Sequence, residues 1–185
     1  NIGKNKTTAE DDALEDYLYC LDRVYPWAGY VVVNLSSPNT PGLRNLQFGD
    51  ALKKLLDGLQ QRQQQLAARH GYKPILIKIA PDLDETEIDA IAAVFNEHEV
   101  DGVVATNTTI SREAVSGERF AEQAGGLSGQ PLFQSSTATL RSFRRYLRPS
   151  IRLIGVGGIS YGEDVKAKRE AGASLVQLYS GFIYR

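Results

Sequence analysis

Apolar positions along the chain fall in short, nearly unbroken runs, separated by longer stretches in which they recur every three or four residues. The runs are 30–35 (YVVVNL), 75–80 (ILIKIA), 102–106 (GVVAT), 151–156 (IRLIGV) and 174–179 (SLVQLY). Continuous rather than alternating hydrophobicity is what a parallel strand covered on both faces requires. The intervening stretches predict helices. Residues 8–25 set Leu14, Tyr17, Leu18, Leu21 and Val24 at helical spacing, with Thr7 and Glu10 placed to form a capping box. Residues 49–70 carry Leu52, Leu55, Leu56, Leu59 and Leu66 and end before Gly71. Asp84 with Glu87 opens a helix to about His98, a fourth covers about 134–147, and Ser160 with Glu163 caps a fifth that ends before Gly172.

Strict alternation of helix and strand implies a parallel sheet with right-handed crossovers. Two arrangements satisfy it, an open doubly wound sheet and a (β/α)8 barrel. The last two strands favour the barrel. One ends in Gly155-Val156-Gly157-Gly158 just before a helix start, the other in Tyr179-Ser180-Gly181. Barrels often bind phosphate with the loops after strands seven and eight. The expectation is therefore an α/β, (β/α)8 TIM barrel of which this chain covers roughly strands four to eight. A five-stranded arc cannot close. Residues 1–185 read as the C-terminal part of a single barrel domain, with the first three strands upstream. The start at Asn1 without Met fits that reading.

Composition changes this picture little. The chain has 185 residues, 42% hydrophobic and 23% charged, enough apolar content for a core. Lys+Arg total 21 against 22 Asp+Glu, which gives no electrostatic signature of a nucleic-acid partner. The single Cys20 excludes an internal disulfide and fits a reducing compartment. No apolar run is long enough to span a bilayer and no signal peptide is visible. Gln60 to Gln65 reads as a solvated helix face, and the Gly- and Ser-rich stretch 111–131 as a long, functional or mobile loop.

Candidate chemistry gathers where strands end. After the first run comes Asn34-Leu35-Ser36-Ser37-Pro38-Asn39-Thr40-Pro41-Gly42. Its carboxamides donate and accept at fixed angles, suited to the edges of a planar polar ligand, and its prolines stiffen the loop. The third run ends in Thr106-Asn107-Thr108-Thr109. Lys78 sits inside the apolar run Ile77-Lys78-Ile79, where its charge needs either a carboxylate or a bound ligand. The Gly-Val-Gly-Gly turn, read with the helix start at Ser160, is a candidate phosphate cradle. By itself Ser37 carries no catalytic signal, because no His lies near it in sequence. His70 and His98 fall at helix carboxyl ends, where imidazolium complements the dipole. Cys20 lies beside an apolar stripe and reads as core, and Arg141, Arg144, Arg145 and Arg148 read as a solvated face. No Cys, His and carboxylate set has metal-ligand spacing.

The segments NLSSPNTPGLRNLQ, ILIKIAPDL, DGVVATNTT, GGLSGQPL, IGVGGIS and GASLVQLYSGFIY together resemble the dihydroorotate dehydrogenases. They span nearly the whole chain in the family's order, and none departs from its pattern. Asn1 to Asn5 also looks like the family's segment at the end of the third barrel strand. The resemblance implies FMN at the barrel mouth and oxidation of dihydroorotate to orotate in pyrimidine synthesis. Ser37 stands where the soluble class carries Cys, so the chain is similar to the class 2, quinone-dependent enzymes. That class is peripherally membrane-associated through N-terminal helices, which implies the bacterial cytoplasmic membrane or the mitochondrial inner membrane. By position Ser37 would be the catalytic base, and Asn34, Asn39, Asn107 and Thr108 would bind substrate. Asn1, Asn34, Lys78, Thr106, Gly129, Gly158, Tyr179 and Ser180 would hold FMN, with Lys78 near the flavin N1/O2 edge. Two other readings stand beside this one. A 2-hydroxy-acid oxidase would need a His base, and a phosphate-binding barrel would have no redox chemistry.

Overall fold

A computed structural model describes residues 1–184. Five strands, β1 (Val31–Asn34), β2 (Ile75–Ile79), β3 (Gly102–Ala105), β4 (Arg152–Val156) and β5 (Leu175–Gln177), form one sheet. All four pairings are parallel. Spatial order equals chain order, β1-β2-β3-β4-β5. A doubly wound sheet reverses its order at a switch point; this one never does, so it is a barrel arc. Ile2 continues the arc beyond β1. Its N–H donates to Val32 O at 2.8 Å and its carbonyl accepts from Asn34 N at 2.9 Å, a parallel bridge.

Helices α1 (Ala13–Val24), α2 (Gly49–His70), α3 (Glu85–Glu97), α4 (Phe133–Tyr146) and α5 (Gly162–Glu170) cover the convex face, and a short α6 (Ser180–Ile183) follows β5. The main core lies between this layer and the sheet. Val31, Val33, Ile75, Ile77, Ile79, Val103 and Leu153 face Leu52, Leu56, Ile88, Ile91, Phe95, Leu140 and Phe143. The concave face carries a smaller cluster, Val32, Leu76, Val104 and Ile154 with Val156. Both faces of β1 to β4 are thus largely apolar, which is why those runs do not alternate; on β5 Val176 packs against the main core while Leu175 is exposed.

The helix starts show which local signals win. Asp84 and Glu87 form the full capping box of α3, with bonds of 2.8 and 2.9 Å. The Thr7–Glu10 box does not form, and α1 begins only at Ala13. Glu10 is engaged elsewhere, accepting from Asn45 Nδ2 at 3.1 Å. At α5 the partner is Asp164 rather than Glu163; its carboxylate takes the N–H of Ser160 and Tyr161 at 2.8 and 2.9 Å.

Other polar assignments also change. Gln63 is buried, donating to Lys73 O at 2.8 Å and Asp101 at 3.2 Å, so the glutamine run is not wholly a solvated face. In the arginine cluster Arg141, Arg145 and Arg148 are exposed, as a solvated face requires, and Arg144 turns partly inward. Arg144 donates to Leu147 O and Arg148 O at 2.6 and 2.7 Å, closing the end of α4, and Arg145 and Arg148 pair with Glu85 and Glu99. Cys20 packs against the main core.

Candidate active site

The carboxyl ends of the strands meet at one mouth, and register sets who meets whom. Asn34 on β1 lies directly beside Lys78 on β2. The Asn34 Oδ1 accepts from Ser36 N, Ser36 Oγ and Asn107 Nδ2 at 3.2, 3.2 and 3.0 Å. Asn107 Nδ2 also donates to Ser36 Oγ at 3.1 Å, and Ser36 Oγ donates to Lys78 O at 2.8 Å. Thr108 N donates to Asn107 Oδ1 at 2.8 Å, and Thr106 Oγ1 donates to Asn107 O at 2.9 Å. Behind them Tyr17, fully buried, donates its hydroxyl to Asn34 O at 2.7 Å. Burial raises the Tyr17 pKa, which keeps this donor protonated.

The carbonyl side of Asn34 is thus saturated within the protein. Its Nδ2 meets no acceptor among the described residues and remains available to a ligand. Ser36, fully buried, joins the two amides. The sequence places it among the polar groups at the strand end but assigns it no role, because it sits beside a second serine with nothing to mark which one turns inward. Ser37 is half-buried, and among the described residues its Oγ accepts only the Asn39 N–H, at 3.3 Å. Asn39 is exposed, and no hydrogen bond joins its side chain to the Asn34–Asn107 pair.

Lys78 has no carboxylate. Among the described residues neither an ion pair nor a hydrogen bond reaches its ammonium, so the salt-bridge alternative is gone. Burial alone pulls its pKa below the ordinary lysine value. A bound anionic or strongly accepting group would restore the charged form.

A cleft runs from Lys78, Thr106, Asn107 and Thr108 past Ser128 and Gly129 to Gly157, Gly158, Tyr179 and Ser180. The predicted cofactor residues therefore line one continuous space, except Asn1 and Asn34. Asn1 borders a second opening on the concave face, shared with Lys78 and Gln177. The Gly129 and Gly158 N–H groups meet no acceptor among the described residues. Ser180 Oγ donates to Ser128 Oγ at 3.1 Å across the cleft.

Two features hold the mouth together that the sequence did not disclose. Arg44, in a 3-10 turn at Leu43–Gln47, ties three strand ends. It donates to Ser36 O, Asp82 Oδ2 and Thr108 O at 3.2, 2.8 and 3.1 Å. Asp82 also accepts from Thr109 Oγ1 and from Ile110 N. The second feature is the long loop. An antiparallel bridge joins Thr109 and Leu127, and Arg112 donates to Gln123 O and Gly125 O at 2.9 and 2.5 Å. The loop then packs so tightly that a Cβ on Gly126 would stand 1.8 Å from Thr108 Oγ1 and 3.0 Å from Pro38.

Lysine at position 44 would keep the charge opposite Asp82 but lose the guanidinium fork. Arg44→Lys in the full-length protein is expected to cost about 1–3 kcal/mol, the worth of two charge-assisted bonds to carbonyls. Urea unfolding reads it. A midpoint equal to wild type would sink the clamp.

A barrel arc whose strand ends gather fixed amides, an unpaired lysine and orphaned glycine N–H groups defines a (β/α)8-barrel protein with a binding site at its mouth for a polar, anion-bearing ligand. The particular family follows from comparison. The family model described as dihydroorotate dehydrogenase matches residues 1–185, and the chain belongs to that family. It is 56% identical, over its whole length, to a protein of Paraburkholderia xenovorans named dihydroorotate dehydrogenase (quinone), covering 55% of that protein. A Stenotrophomonas maltophilia protein of the same name is 55% identical and 53% covered. The crystal structure of Eimeria tenella DHODH in complex with ferulenol superimposes with a TM-score of 0.93 at 37% identity, again over the whole chain and 53% of that one. The chain thus spans about half the length of the relatives it matches.

Proposed function

We propose that the protein to which this chain belongs oxidises dihydroorotate to orotate in pyrimidine synthesis, with FMN as hydride acceptor and a quinone as final electron acceptor. The observation that carries this reading is the Asn34–Ser36–Asn107 network lying beside the unpaired Lys78. It presents fixed amide edges to a planar ring next to a cation with no internal partner.

The residues fit FMN by their chemistry. The unpaired Lys78 suits a ring edge that gains negative charge, and the Gly129 and Gly158 N–H groups suit a phosphate. A Cβ at Gly158 would fall 2.6 Å from Phe133 N, so the cradle exists only as glycine. FMN, when bound, supplies a hydride acceptor. Asn34 Nδ2, Asn39, Asn107 and Thr108 orient the pyrimidine by its imide and carboxylate edges. Ser37, once its hydroxyl proton has passed to solvent, would take the C5 proton as the alkoxide. Thr106 and Asn1 would bind the ring or ribityl chain, Lys78 would hold the N1/O2 edge, and Tyr179 and Ser180 would flank the phosphate.

Serine rather than cysteine at position 37, together with the relatives named for quinone, supports the quinone-dependent class and peripheral association with the bacterial cytoplasmic membrane. Among the described residues no helix is long and apolar enough to cross a membrane. The hydroxy-acid oxidase alternative loses its base. His98 closes α3, its ring bonded to Val94 O and Asp57, and His70 ends α2. Both helix ends lead into strand starts, the end of the barrel opposite the mouth.

Purified full-length protein is expected to be yellow and to lose its flavin absorbance when dihydroorotate is added without oxygen. Absence of flavin, or flavin indifferent to dihydroorotate, would overturn the reading.

A further inference from the structure

Helix α5 reads as solvent-facing, with six charged residues from Glu163 to Glu170, yet Lys168 is completely buried. Its Nζ donates to Ser136 Oγ at 2.6 Å and lies 5.1 Å from the Phe133 ring centroid. Its stem packs against the glycine of β4, where a Cβ on Gly155 would meet Lys168 Cβ at 3.2 Å. Among the described residues no carboxylate pairs with it. Asp164, the acidic residue nearest on its own helix, is held by the N–H groups of Ser160 and Tyr161. Burial pushes the amine down to about 8. A lysine so placed is rare without a counter-charge.

The Asp164 charge offsets the burial of Lys168 only in part and makes no bond to it, and the path toward the candidate phosphate cradle is short. A hydroxyl that accepts from Lys168 has one hydrogen left to give. Ser136 Oγ lies 3.2 Å from both Gly157 O and Phe133 O. Drawing Gly157 O toward Ser136 fixes the plane of the Gly157–Gly158 peptide. In a trans peptide the C=O and the following N–H point opposite ways, so the Gly158 N–H is turned away from Lys168. That N–H is one of the orphaned donors of the cleft. The contact leaves no slack, because a Cβ on Gly157 would stand 2.8 Å from Ser136 Oγ.

We propose that Lys168 is a positioning residue for the FMN phosphate, acting through Ser136 to orient and polarise the Gly157–Gly158 peptide and supplying the buried charge that the phosphate balances. The proposal rests on the flavin reading above. It makes recognition of the phosphate, rather than of the flavin ring, depend on a residue the ligand never touches.

Flavin-stripped full-length protein titrated with FMN and with riboflavin, read by flavin fluorescence, separates the two. Riboflavin carries the ring and ribityl chain without the phosphate. Lys168→Met is expected to weaken FMN binding about ten-fold or more, the scale of a lost charge-assisted interaction, and to leave riboflavin binding within about two-fold. Ser136→Ala removes only a hydroxyl and keeps the buried charge. It should lower the FMN-over-riboflavin preference in the same direction, and it carries the test alone if the Lys168 variant does not fold. An unchanged preference in the folded variants, or equal weakening of both flavins, overturns the proposal while leaving the flavin reading intact. Wild-type protein that binds neither flavin overturns the flavin reading itself, and the proposal with it.

Discussion

Gly158→Ala is expected to abolish FMN retention by the full-length protein, with affinity lowered at least about a hundred-fold. Two independent effects act at this position. Gly158 has φ +73°, a left-handed conformation that costs an L-residue about 1–2 kcal/mol. The larger effect is steric. The added Cβ would lie 2.5 Å from Phe133 Cβ and 2.6 Å from Phe133 Cα and N. Two of those atoms are backbone at the start of α4, so no rotamer change relieves the overlap, and either the turn or the helix must move. The turn is the softer of the two, since the helix is anchored in the core by Leu140 and Phe143. Moving the turn carries the Gly158 N–H away from Gly129 and Ser180, and the cradle loses its shape. Gly162→Ala is the matched control. Nothing lies within 4 Å of its Cβ position, its φ is ordinary, and it opens α5, where alanine is the better helix former. The control should bind FMN as wild type does. If Gly158→Ala matches it in a fluorescence titration, the turn does not hold the phosphate.

The architecture was legible because it rests on period and continuity. Each of the five apolar runs became a strand, shortened at one end or both, and the two glycine turns placed the last strands at one mouth. Lys78 was legible for a related reason, since a charge inside an apolar run contradicts its surroundings. Lys168 shows the converse. It stands in a helix already rich in charge, where one more lysine contradicts nothing, and only the packing of α5 on β4 reveals it as buried. Gln63 was hidden in the same way inside a polar run. Arg44 and Asp82 are 38 residues apart and meet only because adjacent strands bring their loops together. Capping boxes show the limit of local signals. Asp84–Glu87 formed because nothing competed for either side chain, whereas Glu10 was drawn to Asn45 and left Thr7 without a partner. The candidate site divides along the same line. Groups at strand ends could be enumerated from the sequence, but which amide edge faces inward is decided by Ser36, and its burial depends on the sheet.

Ser37→Ala in the full-length protein should lower turnover with dihydroorotate about 10²–10⁴-fold, the usual range for removing a general base. Flavin content should be unchanged, because Ser37 does not border the cleft that runs from Lys78 to Ser180. The stability should also hold. The only hydrogen bond Ser37 Oγ makes among the described residues is a 3.3 Å acceptance from Asn39 N in an exposed turn, worth little to the fold. That isolation also decides the pH behaviour. No His, Asp, Glu or Lys side chain hydrogen-bonds Ser37, so no internal partner draws its proton away. Its reactivity should climb with pH, with no plateau set by a neighbouring residue. Ser37→Cys tests this directly. A thiol titrates near pH 8.5 in the absence of perturbation, far below a hydroxyl. The Cys variant should therefore turn over with an apparent pKa near that value and level off above it, where the wild type continues to rise. Rapid-mixing measurement of flavin reduction across pH 6–10 isolates this step from reoxidation by quinone. Equal rates for Ser37→Ala and wild type would remove Ser37 from the proton transfer. A Cys profile that tracks the wild type would place the titrating group elsewhere in the mouth.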